Sequence, residues 1–295
     1  ITIPYFWAIN KDKDLTVTNK MYASENPLFL GEYRQVFESS NLIFDFGYTE
    51  GFKKTNTIKN SGQKIHFFSK FVKNFTNIDD NYESTLSITT QETSNDKYFK
   101  LYKINSALVD QSISSLENNL NFIHSNDENF FSLDISMYET LNSGHNDKYE
   151  YILPELNFNK NLLSSSTLGS IDFDSNLKVH NYDTNRTSKF LVNNFDWNSL
   201  TKSFNSGIQT QFLSKIKNIN YETKNSEPLE DYKNETTHEV FGALGFLTKL
   251  DLYKKVENLS EHLLTPKILV RFAPGQMKKE PDNVSKLNPA RTFNL

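Results

Sequence analysis

The sequence predicts an all-β fold, an antiparallel meander of short strands. Three observations carry this expectation. The first 49 residues alternate apolar and polar side chains with period two, hairpin-sized breaks interrupt the alternation, and capped 3.6-residue periodicity is almost absent. Successive side chains of a strand point to opposite faces, so Leu15, Val17 and Met21 fall opposite Thr16, Thr18 and Lys20. Leu42, Phe44, Phe46 and Tyr48 alternate in the same way with Asp45, Gly47 and Thr49. Breaks at Asn10–Asp12, Ser24–Pro27 and Ser39–Asn41 are short enough to pair neighbouring strands antiparallel. An amphipathic meander of this kind makes a sandwich or a barrel.

The later elements follow in order. Strands are predicted over Lys64–Phe75, Tyr82–Gln91, Tyr98–Ile104, Ile113–His124 and Phe130–Thr140, the last with Phe131, Leu133, Ile135 and Met137 on one face. Tyr151–Asn159, Thr167–His180, Thr187–Trp197, Phe204–Ile216, His238–Leu252 and Leu263–Phe272 complete a dozen or more. The longest polar connections are Gly51–Gln63, Ser143–Lys148, Asn220–Thr237 and Gln276–Leu287. No linker or fixed-period repeat divides the chain.

Composition narrows the class. The chain has 295 residues and a formal net charge of −4, with a mean hydropathy of −0.59. Its longest apolar run, Val240–Leu247, falls far short of the ~20 residues a membrane helix needs. That leaves a transmembrane β-barrel open, because alternating strands hide their lipid face from averaged hydropathy. The 24 Phe and 14 Tyr are many for so polar a chain and suit aromatic girdles, although a soluble sandwich with an aromatic core weighs equally on composition alone. With no cysteine, disulfides and thiolate metal sites are excluded within these residues. The negative charge and the lack of a basic stripe argue against a nucleic-acid partner.

Four motifs then occur in one order. Ile3-Pro4-Tyr5-Phe6-Trp7 leads to Asp14-Leu15-Thr16-Val17-Thr18 with Lys20 and Tyr22, then to Gly31-Glu32-Tyr33-Arg34. Tyr98–Tyr102 (YFKLY), Ile152–Leu162 (ILPELNFNKNL) and Leu263–Gly275 (LLTPKILVRFAPG) are looser matches. The series resembles the barrel of the lipopolysaccharide-assembly outer-membrane protein family, LptD (OstA/Imp). Asn19 and Lys11 stand where many members carry proline. The resemblance implies an antiparallel transmembrane β-barrel in the cell outer membrane, with residues 1–295 forming part of it. The family's amino-terminal periplasmic domain and closing carboxy-terminal strands are not among these residues.

It also implies lipopolysaccharide transport without enzymatic chemistry or cofactor, with an LptE-type lipoprotein plug and an LptA-type periplasmic bridge as partners. A generic porin or uptake barrel, and a soluble β-sandwich binding module, are the alternative readings. The resemblance makes Pro4, Tyr5 and Trp7 part of a lateral-gate strand, with Pro4 removing a ladder donor. Leu15, Val17, Leu42, Phe44, Phe46, Leu133 and Ile135 are expected to face lipid. Thr16, Thr18, Glu32, Arg34, Asp45 and Asp134 are expected to face the lumen, because charge on the lipid side is costly. Six scattered histidines, His66 among them, show no metal spacing. Asp79-Asp80 and the lysines 53, 54, 59 and 64 are read as loop residues that could meet divalent cations and phosphorylated lipid A, though turn-capping and solvation are the plainer roles. Were the first strand to run outward, the 51–63 connection would fall on the periplasmic side, where turns are usually short.

Overall fold

The computed structural model describes residues 1–23, 25–51, 61–77, 81–142, 148–182, 186–225, 236–256 and 260–274. Six strands come first: β1 (Thr2–Asn10), β2 (Lys13–Lys20), β3 (Leu28–Val36), β4 (Ser40–Gly51), β5 (Ser61–Asn77) and β6 (Tyr82–Thr93). One short helix, α1 (Tyr98–Tyr102), separates them from β7 (Ser115–Asn126) and β8 (Asn129–Thr140). Then come β9 (Tyr149–Ser165), β10 (Gly169–Tyr182), β11 (Arg186–Asn198), β12 (Lys202–Ser203), β13 (Ile208–Lys224) and β14 (Thr237–Leu250). The strands β15 (Leu252–Val256), β16 (Ser260–Leu264) and β17 (Lys267–Phe272) end the series.

The fold is all-β, built on one large antiparallel sheet of 15 strands. Its order follows the chain from β1 to β11, then β13, β14 and β17, with β12 beside β13; β15 and β16 form a separate hairpin. The order is open, not closed into a barrel, and ends at β1 and β17. None of the described helices is long and apolar enough to cross a membrane.

Contacts divide the chain into two compact units. The first holds residues 1–127, 132–155 and 180–185; the second holds 128–131, 156–179 and 186–295.

In the first unit the register sorts side chains by face. Thr16 pairs with Glu32, and Glu32 with Asp45, while Thr18 pairs with Leu30. Tyr5 pairs with Val17, Trp7 with Leu15, Tyr33 with Phe44, and Phe46 with Phe67 on the opposite face. Two glycines let rings lie flat across this sheet. A Cβ on Gly31 would stand 2.2 Å from the Phe46 ring, and one on Gly47 would stand 2.4 Å from the His66 ring. Strand glycines often mark such close approaches.

The core of this unit lies on the polar face. There Tyr98, Phe99, Tyr102, Ile104 and Val109 pack with Leu28, Phe68, Leu116 and Leu141. The sequence reading of Tyr98–Ile104 as a strand is thus corrected: the segment forms α1. Its spacing puts Tyr98, Phe99 and Tyr102 on one buried side, and Lys103 stops the helix in the left-handed region at φ 49°.

The second unit repeats the two-faced pattern by itself. Phe158, Phe173 and Phe195 run in contact on one face, with ring centroids 6.1 and 4.7 Å apart. The other face carries carboxylates with partners: Asn161 donates to Asp172 at 2.7 Å, Asn159 donates to Asp174, and the Lys215 ammonium pairs with Asp196 at 3.3 Å. A small cluster of Val192, Ile219 and Tyr221, flanked by Phe190 and Phe241, completes this unit's core.

Candidate functional site

The site is the polar face of β2–β5 and the connection that folds onto it. Residues Asp96–Ser114 leave β6 and are held by local turns. The Asn95 side chain accepts from the Lys97 N–H at 3.1 Å, and the Ser106 hydroxyl accepts from the N–H groups of Leu108 and Val109. Such side-chain acceptors replace the ladder bonds the backbone gives up. Three polar contacts then tie the segment to the sheet. The Ala107 N–H donates to the Glu32 carboxylate at 3.1 Å, and the Lys20 ammonium donates to the Lys103 carbonyl at 3.2 Å. Lys148 bridges Asp96 at 3.3 Å and the buried Glu139. The hydrogen bond that the Lys148 ammonium donates to the Glu139 carboxylate is the main reason it holds its proton above the usual lysine range.

Beneath α1 lies a buried His–Asp pair. His66 Nε2 is 2.6 Å from an Asp45 carboxylate oxygen, with both side chains almost fully buried. The His66 ring packs at 5.3–5.8 Å centroid distance against Phe68, Tyr98 and Phe99. Its Nδ1 has no hydrogen-bond partner among the described residues. Burial pushes the Tyr98 phenol well above the ordinary tyrosine range.

A pocket of about 190 Å³ opens beside this pair. Thr16, Thr18, Glu32 and Asp45 form its sheet wall, and Ile104, Asn105 and Ser106 form the facing wall. Four of the six residues expected on the lumen side therefore meet at one place. Arg34 sits just beyond, its Nε 3.0 Å from Asp14 and 3.7 Å from Glu32.

Asp45 is not open to a wide hydrated space: it is 3% exposed and covered by α1. Asp134 accepts from Asn119 at 2.8 Å and Asn121 at 3.3 Å, in a polar cluster with Ser136. Leu15, Val17, Leu42, Phe44 and Phe46 lie on the face opposite Thr16 and Asp45 by register, together with Tyr5 and Trp7.

Pro4 sits in the edge strand, opposite Thr18. Ile1 and Met21 exchange two backbone hydrogen bonds, at 2.9 and 2.8 Å. Hydrogen-bonded and non-hydrogen-bonded pairs alternate along an antiparallel ladder. Pro4 therefore falls on a non-hydrogen-bonded pair. Its missing donor faces the free edge of the sheet, and the β1–β2 ladder loses nothing.

Lys64 belongs to β5, not to a loop, and is buried. Lys53, Lys54, Lys59, Asp79, Asp80 and His145 lie outside the described residues. Among the described residues no group of three His, Cys, Asp or Glu is placed to hold a metal. Sequence reasoning missed the His66–Asp45 pair, whose members are 21 residues apart and meet only through the β4–β5 register. The signal was there in Gly47, the small residue paired with His66.

No protein-family model matches the chain, and no curated protein matches it.

Proposed function

We propose that the chain forms part of the wall of an outer-membrane β-barrel that passes lipopolysaccharide to the outer leaflet, as in the LptD family it resembles. The observation that carries this reading is the division of faces in β2–β4. Thr16, Thr18, Glu32, Arg34 and Asp45 share one face, and Leu15, Val17, Leu42, Phe44 and Phe46 share the other. A lipid-facing wall needs an unbroken apolar surface, and Phe46 and Phe67 are more than 40% exposed on theirs. A sugar chain needs hydroxyls, amides and carboxylates on the inner side, which the ladders of both units supply.

On this reading the protein is a conduit with no chemistry of its own. It works with an LptE-type lipoprotein within the barrel and an LptA-type bridge in the periplasm. Pro4, Tyr5 and Trp7 lie along a seam weakened by one missing donor.

The experiment is photo-crosslinking in cells carrying the full-length protein. A photoreactive residue at Thr16 or Glu32 is expected to capture lipopolysaccharide, and depletion of the protein should lower lipopolysaccharide at the cell surface. A generic porin or uptake barrel is the second reading. The Asp96–Ser114 segment favours it, because a segment packed on the polar face narrows a passage as a solute channel requires. That reading predicts solute uptake without any lipopolysaccharide adduct.

A further inference from the structure

A cavity of about 500 Å³ lies at one end of the second unit's strands. It sits between the β9–β10 turn and the segment that leads from β11 to β13, and Ser165, Ser170, Asn198, Leu200, Thr201 and Gln211 line it. Ser170 shares the parity of Asp172, while Asn198 and Gln211 share that of Asp196 and Lys215. The cavity therefore opens on the polar face of this unit. The local chain geometry builds it. Gly169 takes φ 89° at the turn, and a Cβ there would stand 2.0 Å from the Asn198 carbonyl oxygen. Only glycine lets the turn lie so close to the end of β11. The Trp197 indole donates to the Leu168 carbonyl at 2.8 Å and latches the turn. On the facing wall, the Gln211 amide donates to the Ser199 carbonyl at 2.9 Å. The Ser199 hydroxyl accepts from the Phe212 N–H at 2.8 Å.

Among the described residues no charged side chain lines the cavity. An anion finds no cation there, and a metal ion finds no carboxylate. The Ser170 and Thr201 hydroxyls and the Asn198 side-chain amide have no hydrogen-bond partner among the described residues. Hydroxyls and amides both donate and accept, as the hydroxyls of a sugar do. Leu200 adds an apolar patch for the carbon face of a ring. The volume is that of a small-molecule site, for which ~300–1,000 Å³ is usual. We propose that this cavity binds an uncharged sugar residue. The inference deepens the conduit reading and rests on it for the source of the sugar, the saccharide chain of lipopolysaccharide. A free oligosaccharide presents the same chemistry.

The test uses the full-length protein in detergent, titrated by saturation-transfer NMR. The probes are neutral oligosaccharides of glucose, galactose, mannose and N-acetylglucosamine, with oligogalacturonate as the charged counterpart. At least one neutral oligosaccharide is expected to bind, and oligogalacturonate is not. Ser170→Ala combined with Thr201→Val removes two hydroxyls that hold nothing else in place. Binding should weaken by about tenfold at an unchanged thermal midpoint. Asn198→Leu gives a second variant in case the pair fails to assemble. Lipopolysaccharide with a neutral sugar chain should compete for the cavity, and lipid A alone should not. Oligosaccharide binding without that competition would leave the sugar site standing and count against the conduit reading. Failure of every neutral oligosaccharide to bind, preference for oligogalacturonate, or equal binding in the variants would overturn the sugar site. Capture of lipopolysaccharide at Thr16 or Glu32 would still uphold the conduit reading in that case.

Discussion

Gly47 and His66 set the geometry under α1, and neither residue acts without the other. A methyl group at Gly47 would sit 2.4 Å from His66 Cε1 and 2.7 Å from its Nδ1. The ring must swing, and the 2.6 Å contact with Asp45 goes with it. Gly47→Ala is therefore expected to destabilise the first unit by about 1–3 kcal/mol, the usual cost of forcing atoms into a packed site. Denaturant titration in detergent measures this; an unchanged midpoint would remove His66 from the account.

Tyr98 offers a second residue-level test. Its phenol is held neutral mainly by burial. A raised folded-state value means the folded form binds the proton more tightly. The stabilisation is then complete below the ordinary phenol range near ~10 and declines as pH rises above it. Ultraviolet titration should show a late tyrosinate phase that disappears in Tyr98→Phe. A profile identical to the parent's would contradict the burial of this ring.

At the scale of elements, the Asp96–Ser114 segment is a folded piece of chain with its own anchors. Phe99 is 1% exposed, so Phe99→Ala should cost about 3–5 kcal/mol. Proteases should then cut first around Lys97 and Lys100, and cleavage confined to other sites would show that Phe99 is not the anchor. Lys148 acts in the same sense, because its raised value loses its contribution as pH climbs past the lysine range.

Pro4 belongs to this scale too, through the edge it shapes. Pro4→Ala restores one donor, worth roughly 0.5–1.5 kcal/mol net. It should strengthen cross-linking between β1 and the strand beside it and slow lipopolysaccharide delivery. Equal cross-linking and equal surface lipopolysaccharide in the mutant would leave Pro4 as a tolerated edge residue.

The strands were legible because period-two alternation persists through them, even where ends moved by several residues. The stretch Phe204–Ile216 misled: the strand starts at Ile208, after a turn closed by Gly207 at φ 81°, and runs on to Lys224. α1 was illegible because five residues cannot display a 3.6-residue period. Tyr98 and Tyr102, four places apart, share one face in a strand as they do in a helix. Leu252 continued the alternation of β14, yet the chain breaks at Asp251 and opens the β15–β16 hairpin. The pocket was half legible. Thr16, Thr18, Glu32 and Asp45 were assigned one face from parity, but the wall made by Ile104–Ser106 comes from 59 or more residues away and depends on tertiary packing.

At the scale of the whole molecule, one sheet joins its strands almost wholly in chain order, and each compact unit carries an aromatic face and a polar one. Period-two patterning sustained over so many strands is what a membrane wall requires: apolar groups toward lipid, hydrogen-bonding groups toward water. The exposed edges and the wide apolar face predict that these residues alone will not remain monomeric in plain buffer. A sharp monomer peak with a cooperative thermal transition, free of detergent, would favour a soluble sandwich.

The most direct test of the central claim is the accessibility of single cysteines in the assembled full-length protein within the membrane. Thr16→Cys, Thr18→Cys and Arg34→Cys probe the polar face, and Leu15→Cys, Val17→Cys and Phe46→Cys probe the apolar one. The account predicts that a polar thiol reagent modifies the first three, while a quencher confined to the lipid tails reaches probes attached at the second three. Polar-reagent labelling of Val17 and Phe46 positions, with lipid quenching at Thr16 and Thr18, would contradict it.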